Sequence, residues 1–242
     1  MYLEIIILGF VLSAAISFLA ARLKMLTKDG AFASTFVGGI VFGFGGVNWG
    51  ILLVIFFSAS SFLTLWKAKE KPQPEHKKGR SAGQVLGSGG AAAALALIHG
   101  STLIHGFLPL FKGEPGKINL LTTLGFAGAL AAICADTWAT EIGLLGSSIP
   151  RLITTWKPVE PGTSGGITWL GTSGGFLGAG FIAAFSSILL KTPAAPIWIS
   201  GFAAMILDSL MGALIEGRHP LFNNSSVNFL ASLFGAGLAL LI

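Results

Sequence analysis

The sequence predicts an all-α fold, a polytopic transmembrane helical bundle of about eight spans with the N-terminus outside. Three observations predict it. The chain is 53% apolar and only 10% charged, with mean hydropathy +0.80, whereas soluble domains carry roughly 25% charged residues. Apolar runs close to the length that crosses a bilayer recur from one end of the chain to the other. The basic residues between those runs fall almost wholly in alternate loops.

The first run, 3–21, has no basic flank before it and carries Glu4, so it reads as a span and not as a cleaved leader. Runs 30–47 and 50–66 follow, the former with Gly39 and Gly43 at the spacing that lets membrane helices approach. Next come 83–99, 120–144, 169–190, 195–215 and 227–242. Segment 101–111 is too short to cross and reads as a surface helix, a re-entrant piece or an extension of the fourth span. In run 169–190, Gly171, Gly174, Gly175 and Gly178 repeat the small-residue spacing. Trp49, Trp66, Trp156 and Trp169 fall near the expected interfaces, where aromatic belts belong. A single membrane domain, 1–242, is expected, with a basic loop at 67–82 and a Gly-rich loop at 145–168.

Charge supports this arrangement. Of the 15 Lys and Arg residues, only Lys112, Lys117 and Lys191 fall opposite the loops 22–29, 67–82, 145–168 and 216–226. Those four loops therefore face the cytoplasm, and the protein is expected in a prokaryotic-type inner membrane. The pI near 9.6 reflects this topology signal, so nucleic acid is not an expected partner. The bilayer is, and a homo-oligomer stays open. Cys134 is the lone cysteine, which excludes a disulfide framework. His99 and His105 lie on the outer side without Cys or acidic neighbours and suggest no zinc or haem. No Ser/His/Asp set assembles on one face.

An ionised side chain inside a span costs roughly 3 kcal/mol on insertion scales, so buried acids mark function. Apart from Glu4 at the start of the first span, Asp136, Glu141 and Asp208 are the acids within spans, all three toward the cytoplasmic end. Asp136 and Glu141 are five residues apart, about 140° around a helix, yet a wedged cation could touch both. Three acids from two helices suggest a Mg²⁺ site, since Mg²⁺ takes oxygen ligands and shares them with substrate phosphates. Interhelical hydrogen bonding is the ordinary alternative.

The loop after the acidic span carries Arg151, Thr154, Thr155 and Lys157, all suited to phosphate, and then Gly162, Thr163, Ser164, Gly165 and Gly166. The Gly-rich run can aim backbone N–H groups at an anion before the next helix, although the Walker A spacing is absent. Arg151 and Lys157 are the candidate catalytic cations beside Asp136 and Glu141. Arg80, Gln84 and Ser88 open the fourth span, and Asn223, Asn224 and Asn228 open the eighth. Each suits nucleotide contacts or helix capping. The stretch 67–80 reads as a solvated topology loop or a basic flap for anionic headgroups.

Taken together, the strings DTWATEIG, PRLITTWK, PGTSGGITWLGT, DSLMGA and NNSSVN resemble the phytyl-phosphate kinase family of the vitamin E pathway. There is a looser likeness to CTP-dependent polyprenol and dolichol kinases. The resemblance implies Mg-dependent transfer of a phosphoryl group from CTP, or another nucleoside triphosphate, to an isoprenoid monophosphate such as phytyl or geranylgeranyl phosphate. It implies acidic signature positions at Asp136 and Glu141 and a Thr-Thr-x-Lys at Thr154, Thr155 and Lys157. It also implies loop positions at Gly162, Thr163 and Gly165, a further acid at Asp208, and an Asn pair at Asn224 and Asn228. Ser88 stands where many members carry Asn, and Glu216-Gly217-Arg218 departs from the plant-type sequence, so phytyl specificity is not implied. A lipid cytidylyltransferase making a CDP-lipid, and an ion-coupled transporter, are the competing readings of the same residues.

Overall fold

The computed structural model describes residues 2–66, 79–103 and 115–242. Within them run eight α-helices: α1 (Tyr2–Arg22), α2 (Lys28–Ile40), α3 (Val47–Leu65), α4 (Ala82–Leu103), α5 (Pro115–Gly143), α6 (Trp169–Leu190), α7 (Ala194–Leu214) and α8 (Asn224–Leu238). A π-helical segment, Val41–Gly45, continues α2 before the chain turns at Gly46 into α3. Six of the helices are long and apolar enough to cross a membrane, while α2 and α8 are shorter than that. Residues 101–103 extend α4, and the rest of the 101–111 segment lies outside the described residues, as does 67–78 of the basic loop.

Polar residues that punctuate the apolar runs set where several helices begin. The Thr27 hydroxyl accepts the Gly30 N–H at 3.1 Å to start α2, and the Thr168 hydroxyl accepts the Gly171 N–H at 3.0 Å to start α6. Asn223 accepts the Ser226 N–H at 3.1 Å to start α8. At α4 the Gln84 side chain reaches back to the Ser81 N–H at 2.9 Å, half of a capping box. These four starts share one end of the bundle with the C-termini of α1, α3, α5 and α7.

Helix α5 is the axis of the molecule. It packs against α3, α4, α6, α7 and α8, and a helix apolar on every side belongs in such a position. Phe126, Leu130, Ile133 and Cys134 are fully buried along it. Trp49 of α3 stacks on Phe126 at 4.1 Å and is buried, so it is a core residue and not part of an interfacial belt. Trp66, Trp156 and Trp169 are exposed.

Close approach is the reason for the glycines of α6. A Cβ on Gly171 would stand 2.7 Å from the Ala139 carbonyl oxygen, and one on Gly178 would stand 2.9 Å from that of Cys134. Any side chain there would push α6 off the last turns of α5. At the other edge Gly39 lies on the Phe10 ring and Gly43 on Ile6, joining α2 and the π segment to α1.

Candidate functional site

Three acids meet the common end of the bundle from two helices. Asp136 and Glu141 stand in the last two turns of α5, and Asp208 in the last two turns of α7. The carboxyl groups of Asp136 and Asp208 are hydrogen-bonded to each other. Asn228 of α8, oriented so that its nitrogen meets acceptors, donates to Asp208 Oδ1 at 3.1 Å and to the Asn224 carbonyl at 3.3 Å. Asp208 and Glu141 are only 8% and 2% exposed.

Opposite them stands Arg80, in the turn before α4. Its backbone is fixed in register: Arg80 N–H donates to the Met25 carbonyl at 2.9 Å, and Thr27 N–H donates to the Arg80 carbonyl at 3.1 Å. Asp29 secures the next turn by accepting the Ala82 N–H at 2.9 Å. That bond, with help from the Thr27 hydroxyl, holds the Asp29 carboxyl below its usual range. The Arg80 guanidinium lies 5.8 Å from the Phe56 ring centre and 5.9 Å from that of Phe57. Burial pulls its pKa down, and the carboxylate of Glu141, foremost of the charges around it, pulls it back up. A guanidinium stays charged through such a contest.

The third wall is the loop between α5 and α6. Arg151–Leu152 (β1) pairs antiparallel with Gly166–Ile167 (β2). At Gly165 the backbone takes φ +76°, and an added Cβ would meet Ala213 N at 2.6 Å and the Ser209 carbonyl at 2.7 Å. Only glycine permits both that conformation and that contact with α7. Beside it the Ser164 hydroxyl bonds to Glu216, while burial raises the Glu216 carboxyl above its usual range.

A cavity of about 790 Å³ joins these walls. Of the residues singled out from sequence, it is lined by Asp136, Glu141, Asp208, Arg80, Gln84, Ser88, Asn224, Asn228 and the whole of Gly162–Gly166. Arg151, Thr154, Thr155 and Lys157 are not among its lining residues. The physical reason is local. Arg151 Nη1 donates to the Trp156 carbonyl at 2.8 Å, curling the strand end back on itself, and all four side chains are exposed.

The Gly-rich run also differs from an open anion nest. The Thr163 N–H donates to Glu160 at 3.1 Å and the Gly166 N–H to Thr163 at 2.9 Å, so two of its amides are used within the turn. Gln84 and Asn223 cap helices, and Gln84 lines the cavity as well.

Among the described residues no three Asp, Glu, His or Cys side chains converge as a metal group; of the three expected acids, Asp136 and Asp208 are the two that touch. The donor set that fits Mg²⁺ is the Asp136–Asp208 pair. Two touching carboxyl groups ionise together only when a proton or a cation lies between them, and one or two carboxylates completed by phosphates suit this ion. The charge of Glu141 bears instead on Arg80, foremost among the charges around it.

Sequence reasoning missed Lys24, Ser61, Thr64, Ser209 and Glu216, which also line the cavity. The Ser61 hydroxyl is buried and has no hydrogen-bond partner among the described residues. Its signal was the cluster of hydroxyl residues Ser58, Ser60, Ser61 and Thr64 within the third apolar run.

Comparison with known proteins agrees with this architecture. The family model described as integral membrane protein DUF92 matches residues 11–236. The chain is 32% identical to an uncharacterized membrane protein of Methanocaldococcus jannaschii, over 99% of this chain and 96% of that one. It is also 32% identical to the protein PGR of Arabidopsis thaliana, over 87% and 79%. To the chloroplastic protein VTE6 of the same plant it is 26% identical, over 90% and 65%. No solved structure matches it.

Proposed function

This chain belongs to the DUF92 family of integral membrane proteins, and we propose that it transfers a phosphoryl group from CTP, or another nucleoside triphosphate, to an isoprenoid monophosphate. The product is the isoprenoid diphosphate, made where the cavity meets the cytoplasm. The observation that carries the reading is one cavity holding a touching carboxyl pair, half-buried Asp136 and buried Asp208, together with the half-buried guanidinium of Arg80. Its volume of about 790 Å³ lies within the range usual for small-molecule sites. The motif resemblance to phytyl-phosphate kinases and the distant likeness to chloroplastic VTE6 support an isoprenoid phosphate as acceptor.

Phosphoryl transfer asks a protein for positioning and charge neutralisation more than for covalent chemistry. Asp136 and Asp208 would hold Mg²⁺, which neutralises charge on the triphosphate when bound. Asn228 fixes the Asp208 carboxyl through its amide. Arg80 offers a planar pair of N–H donors to phosphate oxygens, and the charge of Glu141 favours its charged form. Gln84, Ser88 and Asn224 present polar groups for the nucleotide. An oxygen of the acceptor phosphate attacks the terminal phosphorus, and the electrons of the breaking P–O bond leave with CDP. The acceptor is already anionic, so no strong general base is needed.

The test is product analysis with purified protein, Mg²⁺, each nucleoside triphosphate, and phytyl, geranylgeranyl and farnesyl monophosphates. CDP with the lipid diphosphate is expected. Pyrophosphate with a CDP-lipid would replace the reading by cytidylyl transfer, and nucleotide-independent flux in proteoliposomes would replace it by transport.

A further inference from the structure

A second, narrow crevice of about 60 Å³ opens beside the main cavity, walled by Ile16, Val37, Leu53, Val54 and Val85 from α1, α2, α3 and α4. The two spaces share Arg80 and Ser88 in their walls. Arg80 therefore stands at a boundary, with polar cavity on one side and an apolar slot on the other. The transition is abrupt, because the rings of Phe56 and Phe57 begin within 6 Å of the guanidinium.

From this juxtaposition we propose that the crevice is the subsite for the first isoprene unit of the lipid acceptor, whose phosphate lies on Arg80. The inference rests on the phosphoryl-transfer reading and adds the place and register of the acceptor chain. In a prenyl phosphate the hydrocarbon starts at the carbon that bears the phosphate oxygen. A glycerophospholipid instead places ester groups between phosphate and chain. The serines in its wall are engaged with one another, Ser13 donating to the Ser34 carbonyl at 3.2 Å and Ser17 to the Ser34 hydroxyl at 3.0 Å, so a largely apolar slot beginning at the cation matches the first and offers few free donors to the esters of the second.

The volume limits what enters. An apolar cavity of about 150 Å³ takes a benzene ring, so about 60 Å³ takes roughly the first two or three carbons of the branched unit. The rest of the chain leaves between the helices into lipid. Recognition then depends on the branched unit next to the phosphate and little on total chain length.

The experiment uses the full chain in nanodiscs and a geranylgeranyl phosphate analogue carrying a photoreactive diazirine on its first isoprene unit. Adducts are expected on the crevice segments of α1, α3 and α4, and unlabelled geranylgeranyl phosphate should suppress them. Val54→Trp, which fills the slot, should lower this labelling about tenfold, the worth of one or two buried carbons. Ile16→Phe, on the facing wall, should do the same, with thermal melting of both variants checked for folding. Adducts elsewhere, unchanged labelling in folded Val54→Trp and Ile16→Phe proteins, or equal competition by phosphatidic acid would overturn the proposal. Labelling reads binding without nucleotide, so it is independent of whether CTP is the donor. A wild-type protein that labels as expected but makes no diphosphate would sink the kinase reading and leave the subsite standing.

Discussion

Two basic stretches of this chain look alike in sequence and end in opposite situations. Arg80 precedes α4 beside polar residues, and Arg151 and Lys157 precede α6 beside polar residues. Arg80 is pinned by Met25 and Thr27, faces Glu141 and lines the cavity. Arg151 turns back on the Trp156 carbonyl, and Lys157 is exposed. A cation held in a low-dielectric wall acts on a phosphate far more strongly than one screened by water. On the proposed reading, the residue placed to neutralise phosphate is the one fixed by the α1–α2 turn, and the second loop contributes shape.

The comparison can be broken at several points. The largest effect is expected from Asp208→Asn or Asp136→Asn, each lowering kcat of phosphoryl transfer about 10³-fold by removing a carboxylate that suits Mg²⁺. If either keeps wild-type turnover, the carboxyl pair has no metal role. Glu141→Gln is expected to cost about 10²-fold, because it leaves Arg80 without its main counter-charge. A loss confined to KM for the acceptor would place Arg80 on the lipid phosphate alone.

Gly165→Val sharpens the other side. Its side chain would enter Ala213 and Ser209 of α7 at a backbone φ of +76°, so the melting temperature should fall and the loop should leave α7. Unchanged melting would mean that the loop does not need α7 to hold it.

The smallest effect is expected at Asp29. Its carboxyl is held below the ordinary 3.8 by the Ala82 N–H, so its contribution to stability is present above that value and disappears as pH falls through the lowered one. Asp29→Ala should therefore reduce the melting temperature slightly near neutral pH and leave it unchanged in acid. A difference that persists or grows in acid would contradict the assignment.

Much of the fold was legible because lipid demands long apolar runs. The run 169–190 coincides with α6, and 195–215 lies within a residue of α7. The eighth run was placed late because α8 begins with Asn224, and polar capping turns do not register as apolar. In the site, Asp136, Glu141 and Asp208 stood out because charge inside a span is rare. What stayed hidden depends on partners distant in sequence. That the charge of Glu141 bears on Arg80 and that Asp136 meets Asp208 follows from which elements pack side by side, not from spacing along α5. Nor could composition reveal that one arm of the α5–α6 loop lies on α7 while the other curls outward.

Arg80→Lys and Lys157→Ala, measured side by side for kcat/KM of transfer from CTP to geranylgeranyl phosphate in the same nanodiscs, test the central comparison most directly. A loss of about 10²-fold is expected for Arg80→Lys, which keeps the charge but not the paired donors, against less than about threefold for Lys157→Ala. Equal losses, or the larger loss at Lys157, would contradict the account.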